Sequence, residues 1–266
     1  MALACFITNH KTGTKLIQGV LKKYEDTVEN NSVLWLNRYM EAGEIRRDIQ
    51  PQDYKFLFAP HCQHFNIFSK KYNNVPIRYC HWIRNPMDII LSGARYHVFT
   101  QENWCHRKVF AKHPFAQDKF IFAGSYSSDV EGATHSYQEA ISSLQALARI
   151  EFEVLNHRGA HGTISHIEKF LETSKDEGIG RTQLLENHND EIEAITQFLG
   201  LQSDIYEIMV EMSHDTKWLG NHVTKEKEQD DLRKRQRRVA KSLILKHFKL
   251  PRLSQYYQEL ANDSVM

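Results

Sequence analysis

The feature that most restricts the fold is a short apolar run that ends in a glycine-bearing loop and reopens as a helix. Leu3 to Thr8 is almost continuously apolar, as a strand buried on both faces requires. Lys11 and Gly13 follow in a loop, and Leu16, Ile17, Val20 and Leu21 then recur at helical spacing to about Tyr24. Three further runs read as strands: Ser32 to Leu36, Lys55 to Ala59 (ended by Pro60), and Pro76 to Ile83, which runs into Asn85-Pro86. Asn85 suits an N-cap, Pro86 the first helical position and Asp88 the positive end of the dipole, so a helix is expected from Pro86 to about Tyr96. Strands alternating with helices imply an α/β fold: a central parallel sheet flanked by helices, with a P-loop-like phosphate-binding loop after the first strand.

The rest of the chain reads less regularly. Val98 to Ser128 is aromatic, basic and too long for an idle connection, which suggests a lid or substrate loop with short helices. Ser136 and Glu139 form a capping box. Tyr137, Ile141, Leu144, Ala148, Phe152 and Leu155 then supply one apolar stripe for a single helix. Gly178 to Leu185 reads as the last strand, and Asn189 caps a helix that Gly200 ends. Asp204 to Met212 and Lys225 to Phe248 read as helices, and Pro251 opens a short final one.

With 266 residues, 41% of them hydrophobic, the chain can bury one sizeable core, so residues 1–266 are expected to form a single domain. A net charge of +1 gives no global pull toward nucleic acid or a membrane surface. Cys5, Cys62, Cys80 and Cys105 include no CxxC pair and read as reduced thiols, and no metal is expected. The N-terminal apolar run is far shorter than a membrane span or a signal peptide, so a cytoplasmic protein is expected. The run Arg233 to Arg238 contains five cations. Leu232, Val239 and Leu243 give the same helix an apolar stripe, and Asp230 and Asp231 stand four residues before Lys234 and Arg235. The run therefore reads as a solvated face rather than a nucleic-acid site.

Lys11-Thr12-Gly13-Thr14 sits where backbone N–H groups at a helix N-terminus favour an anion. Gly13 permits close backbone approach, Thr12 and Thr14 offer hydroxyls, and Lys11 brings a full charge. The segment is not a Walker A motif: the lysine precedes Gly13, and Lys15 is followed by Leu16. Arg84 falls at the end of a strand, at the sheet edge where open α/β folds bind ligands. Ser92 lies two turns into the next helix, four residues after Asp88 on the same face. Arg84 can fork onto a phosphate and Ser92 can donate a hydroxyl to it.

Together these segments resemble the sulfotransferases that use 3′-phosphoadenosine 5′-phosphosulfate (PAPS). KTGT resembles the family's 5′-phosphosulfate loop. Arg84-Asn85-Pro86-Met87-Asp88 through Ser92 resembles its 3′-phosphate motif. Gln197-Phe198-Leu199-Gly200-Leu201 resembles its late helix end. The resemblance implies a cytoplasmic enzyme that moves a sulfuryl group from PAPS, leaving PAP, to a hydroxyl or amine of a small-molecule acceptor such as a secondary metabolite. No nucleic-acid or membrane partner is implied, and a homodimer is compatible. Lys11, Thr12, Gly13, Thr14, Lys15, Arg84 and Ser92 would hold the nucleotide. Lys225, in His222-Val223-Thr224-Lys225, stands about where the family places a further 3′-phosphate loop. Arg181-Thr182-Gln183-Leu184 departs from the stretch that usually contacts adenine.

The family commonly places a histidine base at the end of the strand before the arginine motif. Here Phe56-Leu57-Phe58-Ala59-Pro60-His61 ends that strand, which makes His61 the first choice for general base and His64 the second, with Glu41 or Glu44 as carboxylate alternatives. Lys11 would stabilise the leaving group. Two other readings stay open: a divergent P-loop kinase-like phosphotransferase, and a non-catalytic nucleotide-binding member of the fold.

Overall fold

A computed structural model describes residues 2–41, 44–45, 48–114, 116–124, 128–156, 158–174, 178–214 and 230–261; for 117, 118, 158–161 and 230 it describes the backbone only. In chain order the strands are β1 (Leu3–Ile7), β2 (Val33–Trp35), β3 (Met40–Glu41), β4 (Glu44–Ile45), β5 (Phe56–Ala59), β6 (Ile77–Ile83), β7 (Lys108–His113), β8 (Ala116–Phe122), β9 (His135–Ser136) and β10 (Gly180–Leu184). The helices are α1 (Thr14–Thr27), α2 (Cys62–Lys71), α3 (Pro86–Tyr96), α4 (Tyr137–Ser142), α5 (Ala146–Asn156), α6 (Arg158–Thr173), α7 (Ile192–Leu199), α8 (Ser203–His214), α9 (Asp230–His247) and α10 (Leu253–Tyr256). They form two compact units: Met1–Arg84 with His166–Val223, and Asn85–Ser165 with Thr224–Met266.

The first unit contains a five-stranded sheet in the order β10-β6-β1-β5-β2, every pair parallel. This is the α/β architecture the sequence implies. Successive side chains of β1 point to opposite faces, and all five residues are buried. Ala4 and Phe6 join Trp82, Phe58 and Phe56 under α1, α7 and α8. Leu3, Cys5 and Ile7 join Leu57 and Tyr79 under α2, with Phe170 near the end of α6. Phe6 stacks on Trp82 with ring centroids 5.7 Å apart. Burying one such ring contributes about 2–3 kcal/mol. At the far edge, Glu25 of α1 accepts from the Val33 amide (3.1 Å) and the Trp35 indole (2.8 Å), tying β2 to the helix.

The second unit packs α3, α5 and α9 on one another and places α4 beside a small antiparallel sheet in the order β8-β7-β9. Asn85 caps α3 as expected, accepting from the Met87 amide at 3.0 Å. The Ser136–Glu139 capping box is present.

Several expectations are corrected. Residues 98–128 are not irregular throughout: β7 and β8 form a hairpin there, pairing Phe110 with Phe122. The stripe from Tyr137 to Leu155 belongs to two helices, not one, and Leu155 is exposed. Arg149 explains the break, because its guanidinium donates to the Leu144 (2.8 Å) and Ser142 (3.3 Å) carbonyls and so satisfies the end of α4. Asn189 is not an N-cap. It starts a 3-10 turn, Asn189–Glu191, and Glu191 precedes α7 without a side-chain cap. Gly200, at φ +67°, does end that helix. On α9 the buried positions are Gln236, Ala240 and Ile244, whereas Leu232 is exposed. Arg237 in the basic run bonds Asp88 (2.6 Å) and Glu259 (3.1 Å). Among the described residues, no helix is long and apolar enough to cross a membrane.

Candidate functional site

All five sheet strands run the same way, so the segments after β1, β5 and β6 emerge at one edge. Ile7 pairs with Ala59 on one side and His81 on the other. The loop after β1 therefore lies between the turn carrying His61 and the end of β6 carrying Arg84.

The loop is bent by its backbone. Lys11 has φ +64° and Gly13 φ +88°, while Thr12 between them keeps a negative φ. Alternation of this kind turns successive N–H groups toward one concavity, a conformation that binds anions. Holding a lysine in the left-handed region costs on the order of 1 kcal/mol. Arg84 stabilises the bend, donating from Nη1 to the Lys11 carbonyl at 3.3 Å. Gly13 is required twice over: its φ disfavours any Cβ, and a Cβ there would sit 2.8 Å from Leu185 Cδ1. The first helical bond of α1 runs from the Ile17 amide to the Gly13 carbonyl (3.1 Å), so the Thr14, Lys15 and Leu16 amides precede the ladder.

Side chains inside the loop hold this shape. Thr12 is fully buried; its hydroxyl donates to the Asn9 carbonyl at 3.0 Å and accepts from the Asn9 amide at 2.6 Å. Thr14 is half-buried and donates to the Asn9 carbonyl at 2.7 Å, with Thr8 Oγ1 3.1 Å away. Lys15 is exposed on the first turn of α1.

His61 is half-buried at the N-cap of α2, with an extended backbone, and its carbonyl accepts from the His64 amide at 2.9 Å. The His61 and His64 rings meet edge to face, centroids 5.2 Å apart. Burial holds the His64 imidazole below its ordinary pKa, and its Nδ1 has no hydrogen-bond partner among the described residues. Glu41 and Glu44 are both exposed on the β3–β4 ribbon.

Sequence reasoning missed Asn9 and His81. Asn9 Oδ1 accepts from the Cys62 amide at 3.2 Å, and Asn9 Nδ2 donates to His81 Nε2 at 2.9 Å. His81 is fully buried, and desolvation lowers its pKa to about 3. No spacing rule reveals this link, because its three members come from three different strand ends.

Lys11, Thr12, Gly13, Thr14, Lys15, His61 and Arg84 thus all belong to the first unit, around one sheet edge. Ser92 belongs to the second, half-buried on α3. Lys225 lies outside the described residues. The expectation of no metal also takes HxxxH spacings to be missing, and the sequence corrects it: His157 and His161 hold that spacing, and neither side chain is among those described.

A solved structure with the same fold is that of mouse sulfotransferase SULT7A1 complexed with PAP. The two agree with a TM-score of 0.50 and 12% sequence identity, over 98% of this chain and 88% of that one. No protein-family model matches the chain, and no curated protein matches it in sequence. At that identity the likeness establishes the fold: α/β with a central parallel sheet, shared with a sulfotransferase.

Proposed function

We propose that this chain is a PAPS-dependent sulfotransferase acting on a hydroxyl or amine of a small-molecule acceptor, with residues 1–266 serving as one catalytic domain. The observation that carries this reading is the loop after β1. Its alternating backbone, with Lys11 and Gly13 at positive φ, builds an anion cradle at the start of α1, and Arg84 from the neighbouring strand end reaches it.

PAPS would supply the sulfuryl group, its sulfur–oxygen bond to the 5′-phosphate breaking as the acceptor oxygen or nitrogen bonds to sulfur. His61 takes the acceptor's proton as general base. Lys11 and the amides opening α1 receive the charge that develops on the departing phosphate oxygen. The Thr14 hydroxyl would join them only by leaving the Asn9 carbonyl it bonds, and Thr12 acts by holding the loop. The group in flight carries little net charge, so a lysine and backbone donors suffice. Arg84 uses one N–H on the Lys11 carbonyl, and a guanidinium has five. By resemblance alone, Arg84, Ser92 and Lys225 are the residues that would hold the 3′-phosphate.

Calorimetry with PAP and ADP tests the reading. A 3′-phosphate on Arg84 and Ser92 gains charge-assisted bonds, so PAP should bind at least about tenfold more tightly than ADP. Equal affinity, or a preference for ADP, would overturn the assignment in favour of a kinase-like phosphotransferase. Turnover of labelled PAPS with an acceptor panel then separates an enzyme from a nucleotide-binding protein. His61→Ala should lower transfer by about a hundredfold or more while leaving PAP affinity within a few-fold.

A further inference from the structure

Asn9 carries a tie that the phosphate loop alone does not need. Its backbone already bonds Thr12 and Thr14 within the loop. Its side chain turns the other way and joins two further strand ends. The amide orientation follows from the partners: the Cys62 N–H requires the oxygen, so Nδ2 faces His81 and donates to Nε2. His81 must then carry its proton on Nδ1, which has no hydrogen-bond partner among the described residues and stands in a fully buried setting beside Phe170.

The Cys62 amide is half of the peptide that follows His61. The other half, the His61 carbonyl, accepts from the amides of His64 (2.9 Å) and Phe65 (3.4 Å) at the start of α2. One peptide plane is therefore held at both ends, by α2 on its carbonyl and by Asn9 on its N–H, and that plane sets where the His61 side chain leaves the backbone. On the loop side, the Thr8 amide donates to the Ala59 carbonyl at 2.9 Å, so the two segments also run together ahead of Asn9.

We infer that Asn9 is a positioning residue: it registers His61 against the phosphate loop through the Cys62 amide, and it fixes His81 as the Nδ1–H tautomer. The inference rests on the sulfotransferase reading for what His61 does, but not for the tie itself.

Two variants separate the tie from simple loop stability. Cys62→Pro removes the N–H together with a buried thiol that donates to the His166 carbonyl at 3.5 Å. Cys62→Ala, which removes the thiol and keeps the N–H, is its control and should leave the His61 signals near wild type. Residue 62 is the first of α2, where proline is accepted, and His61 has the extended backbone (φ −144°, ψ 136°) that a residue before proline prefers. Asn9→Asp keeps an acceptor for the Cys62 amide but turns a second acceptor toward His81 Nε2, which must then take the proton. Long-range proton–nitrogen NMR on the apo proteins reads both parts. His81 Nε2 should show an unprotonated signal in the wild type and a protonated one in Asn9→Asp. The His61 ring signals should shift in Cys62→Pro and stay near wild type in Asn9→Asp. In the transfer assay, Cys62→Pro should lower kcat by about five- to tenfold, with PAP affinity within about twofold, because one hydrogen bond orients the base and none holds the nucleotide.

A Cys62→Pro protein with unmoved His61 signals overturns the inference, whether or not the chain transfers sulfuryl groups. So does unchanged kcat in a wild-type enzyme that does transfer. If PAP fails to bind the wild type, the sulfotransferase reading falls, and the His61 and His81 signals still decide the tie.

Discussion

Acid should weaken this protein through two buried imidazoles before its carboxylates matter. His81 accepts from Asn9 Nδ2, and His188 accepts through Nδ1 from the Trp82 indole N–H at 3.1 Å. Both acceptor nitrogens must be unprotonated, and both rings are removed from water. Desolvation lowers the pKa of His81 to about 3 and that of His188 to about 4, from an ordinary value of 6.5. Because the folded values lie below the unfolded one, the unfolded chain binds the extra protons. The contribution is complete above pH 6.5, is lost as pH falls from there toward each folded value, and levels off below it. Each imidazole loses at most about 1.4 kcal/mol per pH unit, or about 2 kcal/mol between pH 7 and pH 5. Together they should remove roughly 4 kcal/mol over that window, a large part of the 5–15 kcal/mol typical of a folded protein. Glu139, whose carboxyl is held below its ordinary range first by the Ser136 amide, titrates at lower pH and does not confuse the measurement.

Urea unfolding at pH 7, 6 and 5 at fixed ionic strength gives the slope. His188→Gln isolates one imidazole, since the amide oxygen can still accept from Trp82 but does not titrate. Its loss between pH 7 and 5 should be smaller than the wild-type loss by about 2 kcal/mol. Parallel wild-type and variant profiles, or a His188 ring that titrates near pH 6.5 in the folded protein, would refute the reasoning.

Two glycines give sharper tests of packing. Gly13→Ala meets both a left-handed φ and Leu185, so it should weaken PAP binding by more than about tenfold and lower stability by about 1–2 kcal/mol, read by calorimetry and urea unfolding. In the second unit, a Cβ on Gly93 would fall 2.0 Å from Glu153 Oε1. Glu153 cannot simply swing aside, because its Oε2 accepts from the buried Tyr137 hydroxyl (2.8 Å) and bonds His97 Nδ1 (3.1 Å). Gly93→Ala should therefore cost about 3 kcal/mol or more, against about 1 kcal/mol for Gly132→Ala, where φ is +80° but nothing lies within 4 Å of the new Cβ. Equal melting temperatures for the two would sink this account.

What the sequence made legible is what local rules govern. β1, β2, β5 and β6 follow from short apolar runs. α3 follows from an asparagine cap, a proline and a first-turn aspartate, and its bounds, Pro86–Tyr96, are those expected. The β7–β8 hairpin was within reach too: Val109-Phe110 and Phe120-Ile121-Phe122 are strand-forming residues on either side of Pro114. The aromatic and basic character of the stretch pointed instead to a loop. The break between α4 and α5 was not within reach. It has no glycine or proline to mark it, and the arginine that satisfies the end of α4 belongs to the following helix.

The loop after β1 shows the same division inside a few residues. Its position and its glycine are local and legible. The role of its short polar side chains is not, because a hydroxyl that could greet a ligand could equally hold the backbone that does. In the structure Thr12 faces inward, and Asn9 reaches past the loop to the ends of two other strands. A cradle made of backbone amides explains why. Its donors are fixed to the chain, so their aim depends on dihedral angles that are strained at Lys11 and open only to glycine at position 13. The bend must be over-determined by contacts that do not involve the anion. Arg84 on the Lys11 carbonyl, the threonine hydroxyls on the Asn9 carbonyl and Leu185 against Gly13 are those contacts. Most of the polar residues in such a loop therefore serve as scaffold, and an anion held as proposed would meet chiefly the main chain and the one lysine whose backbone they hold in place.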